Sequence, residues 1–229
     1  MIKLVAFDWN GTIVADTEVT LRANNEVLKH FGFKPISLGQ YRKHYDVPIR
    51  KYWISLGLDP NFFDQHAKEQ ERIFLSKFEP EEKRVRTRTG AKQILEYLKR
   101  QQIECLIFSN HIIPHIEARL EGLGIKKYFS KVLARPQHNR DHQHKKFKDQ
   151  FLRDYIKAKK LTMKEIVIVG DTVEEIEIAK NFGCHSVAIT GGHNSTLRLK
   201  AMRPDFLIHN LTELKRIIIK LNKPKVKIL

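Results

Sequence analysis

The chain has 229 residues, 41% hydrophobic and 30% charged, with 11 Gly and 8 Pro; it is long enough to bury a large core without staples, and collagen-like, low-complexity and wholly disordered chains are excluded. No apolar run approaches the roughly 18 residues that span a bilayer, the opening Met-Ile-Lys-Leu-Val-Ala-Phe-Asp is charged too soon for a signal peptide, and Cys105 and Cys184 show no metal spacing, which together point to a reduced cytoplasmic setting. The formal net charge of +16 is concentrated in residues 131–164 (11 Lys/Arg against three Asp) and 213–229 (six against one Glu), a field that favours anionic partners such as phosphate esters, nucleotides or nucleic acid unless it is simply a solvated Lys-rich surface.

Residues 3–7 form a short, nearly continuous apolar run, the pattern of a parallel strand covered on both faces. Helical periodicity follows over 17–31, closed by Gly32, and over 37–56 with a break near Pro48. A longer helix is expected over 60–78, with Phe63, Ala67, Phe74 and Phe78 on one stripe that reads as core packing. The charged segment 79–88 reads as a connector. From Gly90 the pattern alternates: helix 91–100, strand 103–108, helix 114–123, strand 132–134, helix 148–159, strand 166–169, helix 174–182, strand 185–189, strand 206–208 and helix 211–221. Such alternation predicts an α/β fold with a Rossmann-like parallel sheet and helices on both faces. The helical block interrupts it just after the first strand. The expected division is therefore a core of residues 1–14 and 85–229 with an all-helical cap of residues 15–84.

Open parallel sheets bind ligands beyond the carboxyl ends of their strands. Strand one ends at Asp8, followed by Trp9-Asn10-Gly11-Thr12. The strand over 103–108 ends at Ser109-Asn110. The strand over 166–169 ends at Gly170-Asp171-Thr172, with Glu175 one helical turn later, and Lys145, Lys146 and Lys148 lie at or before a helix start. Carboxylates, a hydroxyl and an ammonium converging on one sheet edge suit a phosphoryl group held on Mg²⁺. A carboxylate can attack phosphorus and split a hard hydrolysis into two easier steps. The Lys, the Ser hydroxyl and backbone N–H groups would cradle the oxygens, and Gly11 and Gly170 would let backbone approach closely.

The order Phe-Asp-x-x-Gly-Thr, Ser-Asn, a helix-start Lys, then Gly-Asp-Thr-x-x-Glu resembles the haloacid dehalogenase-like hydrolase superfamily over nearly the whole chain, with the insertion in the place of a C1-type cap. Thr-Gly-Gly-His-Asn-Ser at 190–195 and Val-Pro-Ile-Arg-Lys-Tyr-Trp at 47–53 are similar to the phosphoglycolate-phosphatase-like subgroup. The resemblance implies a Mg²⁺-dependent phosphatase acting on a small phosphomonoester through an aspartyl-phosphate on Asp8. It implies Asp8, the Asn10 carbonyl and Asp171 as metal ligands, with Glu175 supporting them. Ser109 would hold the phosphate, and Lys148, favoured over Lys146 on spacing, would neutralise it. Gly11, Thr12, Asn110, His111 and the cap's Arg50 and Tyr52 are expected around the substrate.

One position departs from that pattern. The family carries a second Asp two residues after the nucleophile, where it protonates the leaving group and activates water; here it is Asn10, which has no titratable proton near neutral pH. Three readings follow: a phosphatase favouring leaving groups that need little protonation or borrowing a donor such as His111; a weakened phosphate-binding member; or phosphonatase-like carbon–phosphorus cleavage through Lys51, since that relative also lacks the second Asp. His111 and His115 stand at i,i+4. His138, His142 and His144 form a second group with metal-binding potential and irregular surroundings. No zinc finger, helix-turn-helix or aromatic stacking motif supports a nucleic-acid module.

Overall fold

The computed structural model describes residues 1–136 and 148–223. Six strands, β1 (Leu4–Phe7), β2 (Glu104–Ile112), β3 (Lys131–Arg135), β4 (Ile166–Gly170), β5 (His185–Ile189) and β6 (Phe206–Ile208), form one sheet in the order β3-β2-β1-β4-β5-β6. Every pairing is parallel. The chain winds outward from β1 in one direction, returns, and winds outward from β4 in the other, so the switch point lies between β1 and β4.

Alternate residues of each strand feed the two faces. Val5, Phe7, Ile107, Val169 and Ile189 pack under α6 (Ala91–Arg100), α7 (Ile113–Gly122) and α11 (Leu214–Asn222). Leu4, Ala6, Leu106, Phe108 and Ile168 pack on α8 (Lys148–Ala158) and α9 (Val173–Phe182). Covering both faces explains why these strands are apolar almost throughout. A short α10 (Thr196–Ala201), which no apolar periodicity marks, starts at the N-cap Ser195, whose side chain accepts from the Arg198 N–H.

Five helices follow β1 before the sheet resumes: α1 (Thr17–His30), α2 (Leu38–His44), α3 (Ile49–Ser55), α4 (Pro60–Gln65) and α5 (Ala67–Glu82). They close around their own apolar cluster of Val27, Leu28, Tyr41, Tyr52, Trp53, Phe63 and Ile73. Two expectations are corrected here. The helix expected over 60–78 is two helices, because the chain breaks at His66, which caps the first and starts the second. The segment 79–82 is the last turn of α5 rather than connector. Its Glu-Pro-Glu-Glu composition looks like a loop, yet Phe78 and Glu82 are both buried and hold the turn in place despite Pro80. Among the described residues no helix is long and apolar enough to cross a membrane.

Candidate active site

Asp8 is the first residue beyond β1. Its N–H donates to the Val169 carbonyl at 2.9 Å, and Phe7 pairs with Val169 in the register. Asp171 follows β4 immediately, so two carboxylates leave adjacent strands at the switch point. Both are buried. Asp171 Oδ1 accepts from the Thr12 hydroxyl at 2.7 Å and Oδ2 from the His193 N–H at 2.6 Å. Gly11, at φ +72°, and Gly192 close in on the same group: a Cβ on either would collide with the Asp171 carboxylate.

Lys148 opens α8 and is buried. Its Nζ lies 3.0 Å from Asp8 Oδ1 and 3.1 Å from Glu174 Oε2, and it also contacts Glu175 Oε1. Glu175 Oε2 is used locally, accepting from the Thr172 N–H at 2.9 Å and hydroxyl at 2.7 Å in a capping box at the start of α9. The carboxyl of Glu175 therefore steers the lysine and the helix start. Glu174 completes this group and accepts from Asn110 Nδ2 at 2.7 Å; in the sequence it is indistinguishable from an ordinary first-turn acid. Lys145 and Lys146 lie outside the described residues, as do His138, His142 and His144.

The charges decide what else this edge can hold. Burial pushes the Asp8 carboxyl well up from its usual range, Glu175 and Asp171 push the same way, and Lys148 pulls it back. Asp171 is raised by burial and by Glu175, and lowered by His193 and Thr12. Lys148 is raised well above the usual range: burial lowers it, and Asp8, Glu174 and Glu175 overcome that. Three buried carboxylates face one ammonium, and that of Asp171 acts on Asp8 and Glu175 beside them. An oxygen-rich, net-negative crevice framed by glycines fits a hard divalent cation such as Mg²⁺, with Asp8, Asp171 and the Asn10 carbonyl as the residues that would hold it. Replacing Lys148 by Met is expected to destabilise the metal-free chain by roughly 3–5 kcal/mol, since it strands buried carboxylates; a fall in the urea midpoint measures this.

A second polar group lies beside the first. Asp16 is fully buried and accepts from Asn10 Nδ2 at 2.7 Å and from the Gly11 N–H at 2.6 Å. His193 Nε2 lies 3.6 Å from Asp16 Oδ1, an ion-pair distance, and His193 Nδ1 meets the Tyr41 hydroxyl at 2.7 Å. Tyr41 and Arg42 belong to the insertion, and Arg42 donates to the Gly192 and Gly191 carbonyls at 2.9 and 2.8 Å. Thr-Gly-Gly-His-Asn-Ser thus ties the insertion to the carboxylate edge. Burial alone would lower the His193 pKa, but Asp16, Asp171 and Asp8 raise it. A folded value above the unfolded value of about 6.5 stabilises fully below that pH and is lost as pH rises through the folded value. The melting temperature of the metal-free chain is therefore expected to fall as pH rises above about 6.5, and His193→Gln to flatten that part of the profile.

A cavity of about 240 Å³ opens between the insertion and the sheet edge. Asn10, Asn110, His111 and Arg135 give its polar wall, and Ile49, Trp53, Phe74 and Phe78 part of its apolar one. Ser109 is buried at the end of the apolar part of β2, with Oγ accepting from the His111 N–H at 3.1 Å. Arg135 lies at the start of the basic stretch 131–164 and carries no sequence signal of its own. It is buried, donates to the Asn110 carbonyl at 2.7 Å, and its Nη1 has no hydrogen-bond partner among the described residues. Some expected contacts are not brought here. Arg50 binds Asp64 at 2.8 Å within the insertion, Tyr52 is buried in its apolar cluster, and neither lines the cavity. Lys51 is exposed on α3 and does not line it either, which removes the support for the phosphonatase-like reading. His111 lines the cavity, but its Nε2 is engaged by Glu82 at 3.3 Å.

Residues 5–189 match the model of the haloacid dehalogenase-like hydrolase family, and the chain belongs to that family. It is similar to the phosphoglycolate phosphatase of Vibrio parahaemolyticus serotype O3:K6, with 27% identity over 226 residues covering 95% of this chain and 96% of the relative. Among solved structures, a predicted phosphatase from Clostridium acetobutylicum superposes with a TM-score of 0.79 at 16% identity, over 96% of this chain and 99% of that one. A predicted phosphoglycolate phosphatase from Haemophilus somnus gives 0.71 at 21%, over 95% and 98%. At those identities the structures speak for the shared fold.

Proposed function

We infer that the chain is a Mg²⁺-dependent phosphatase that hydrolyses a small phosphomonoester through a phosphorylated Asp8. The observation that carries this is the buried Lys148–Asp8 contact at 3.0 Å beside Asp171 at the switch point. Asp8 supplies the attacking oxygen. Lys148, fixed by Glu174 and Glu175, offers its ammonium to the equatorial oxygens of the phosphoryl group. Ser109 and the backbone around Gly11 support donation to the same oxygens. Bound Mg²⁺ would neutralise charge between the phosphoryl group and the carboxylates. Thr12 and the His193 N–H keep Asp171 oriented.

Asn10 sets the limit of this machinery. Its amide donates to Asp16 and transfers no proton. The preferred substrates are therefore esters whose leaving group departs with little protonation. A cavity of about 240 Å³ is small against the usual range of ligand sites and suits a short leaving group. The Arg135 guanidinium would pair with a carboxylate there. The relatives' name makes phosphoglycolate the first compound to try. A screen of aryl, sugar, nucleotide and short acid phosphates with Mg²⁺ is expected to give phosphate release, fastest for aryl phosphate, with a short acid phosphate the preferred substrate among the alkyl esters. No release above an Asp8→Asn control would reject the reading.

A further inference from the structure

We propose a second metal site, distinct from the carboxylate edge, in which Glu82, His111 and His115 bind a transition-metal cation of the Zn²⁺ class across the seam between the insertion and the sheet domain. The three donor atoms all lie within 4.8 Å of one another. Glu82 ends α5, His111 lies near the end of β2 and His115 in the first turns of α7. The residues thus come from both sides of the seam.

The spacing fits a shared metal ion. His111 Nε2 and Glu82 Oε1 are 3.3 Å apart. Ligands about 2.0–2.1 Å from a tetrahedral Zn²⁺ stand about 3.3–3.4 Å from each other. A charge-assisted imidazolium–carboxylate hydrogen bond would draw closer, to about 2.7–2.9 Å. The two imidazoles meet edge to face with centroids 5.3 Å apart, and the ring of Phe78 stands against His111 at 6.3 Å, giving one side of the site an apolar backing. Glu79, one turn earlier on α5, places Oε1 3.9 Å from His115 Nε2, which adds negative charge beside the three donors. Two imidazoles with one carboxylate select Zn²⁺, Co²⁺ or Ni²⁺ over Mg²⁺, which prefers all-oxygen octahedral surroundings.

Such an ion would do structural work at a specific place. α5 is the last element of the insertion, and the chain returns to the sheet domain directly after Glu82. A metal joining Glu82 to His111 and His115 pins that return segment to α7. Because His111 also lines the cavity, loading the site would fix one wall of it.

The test is titration of the full chain with Co²⁺ in saturating Mg²⁺, followed by competition with Zn²⁺. The expected result is one Co²⁺ with the intense visible absorption of a four-coordinate centre, displaced by Zn²⁺. His115→Ala and Glu82→Gln should each weaken binding at least about tenfold, since even outer-shell changes have effects of that size. Zn²⁺ should raise the melting temperature of the parent chain and not of these variants. A His142→Ala/His144→Ala chain should behave as the parent. Absence of the four-coordinate absorption would overturn the site, as would unchanged Co²⁺ affinity in both His115→Ala and Glu82→Gln or its loss in His142→Ala/His144→Ala alone. These readouts are independent of phosphate release.

Discussion

Replacing Asp8 by Asn is expected to lower Mg²⁺-dependent phosphate release by at least about 10⁴-fold, the scale seen when a nucleophile is removed from a constellation that acts as a unit. The amide is nearly isosteric, so β1 and its 2.9 Å bond to the Val169 carbonyl stay in place. What goes is the oxygen that attacks phosphorus. The substitution also removes one of four crowded carboxylates, and Lys148 keeps Glu174 and Glu175 as partners. The metal-free variant should therefore melt no lower than the parent. Lost turnover together with lost stability would point to a folding defect instead.

The second large effect runs the other way. Asn10→Asp is expected to raise turnover by about 10²-fold or more, within the range of about 10²–10⁴ for a positioned general acid–base group. Asn10 Nδ2 now donates to Asp16 Oδ2 at 2.7 Å. A carboxyl in its place meets a carboxylate that the Gly11 N–H, the Thr20 hydroxyl and His193 hold ionised. Burial pushes the Asp16 carboxyl up, but His193, Asn10 and Gly11 bring it below the usual range. Two carboxyls that close share a proton, which raises the apparent pKa of the pair. The introduced acid is thus held toward its protonated form, from which it can donate to a leaving group. The gain should be larger for alkyl than for aryl esters, because aryl leaving groups need the proton least. Loss of the Asn10 donor should lower stability by about 1–3 kcal/mol. An unchanged alkyl-to-aryl ratio would show that the amide is not what limits the parent chain.

The sheet was legible because burial on both faces leaves strands such as Ile166–Gly170 apolar from end to end, and the site because its carboxylates sit where those runs stop. Asp8, Lys148 and Asp171 lie together at two strand ends and a helix start, and Ser109 ends the apolar part of β2. The less legible residues owe their roles to distant partners. Asp16 precedes α1 like an ordinary cap, yet its side chain makes no cap hydrogen bond and turns to Asn10 and Gly11. The His193 N–H reaches Asp171 from 22 residues away, and its ring meets Tyr41 across 152 residues. Arg135 was hidden by its basic neighbours. Arg50 looked like a substrate contact because a lone Arg in a cap has no sequence signal for its partner, here Asp64. The glutamates at 79 and 82 looked like a solvated connector until α5 carried them to the two histidines.

The most direct measurement is chemical trapping. The parent chain, turning over an aryl phosphate with Mg²⁺, is quenched with borohydride, which reduces an acyl-phosphate to the alcohol, and the carboxylate that was modified is located by peptide mass. The account predicts reduction at Asp8 alone, and only when substrate and metal are both present. Phosphate release without modification of Asp8, or with modification of another carboxylate, would contradict it.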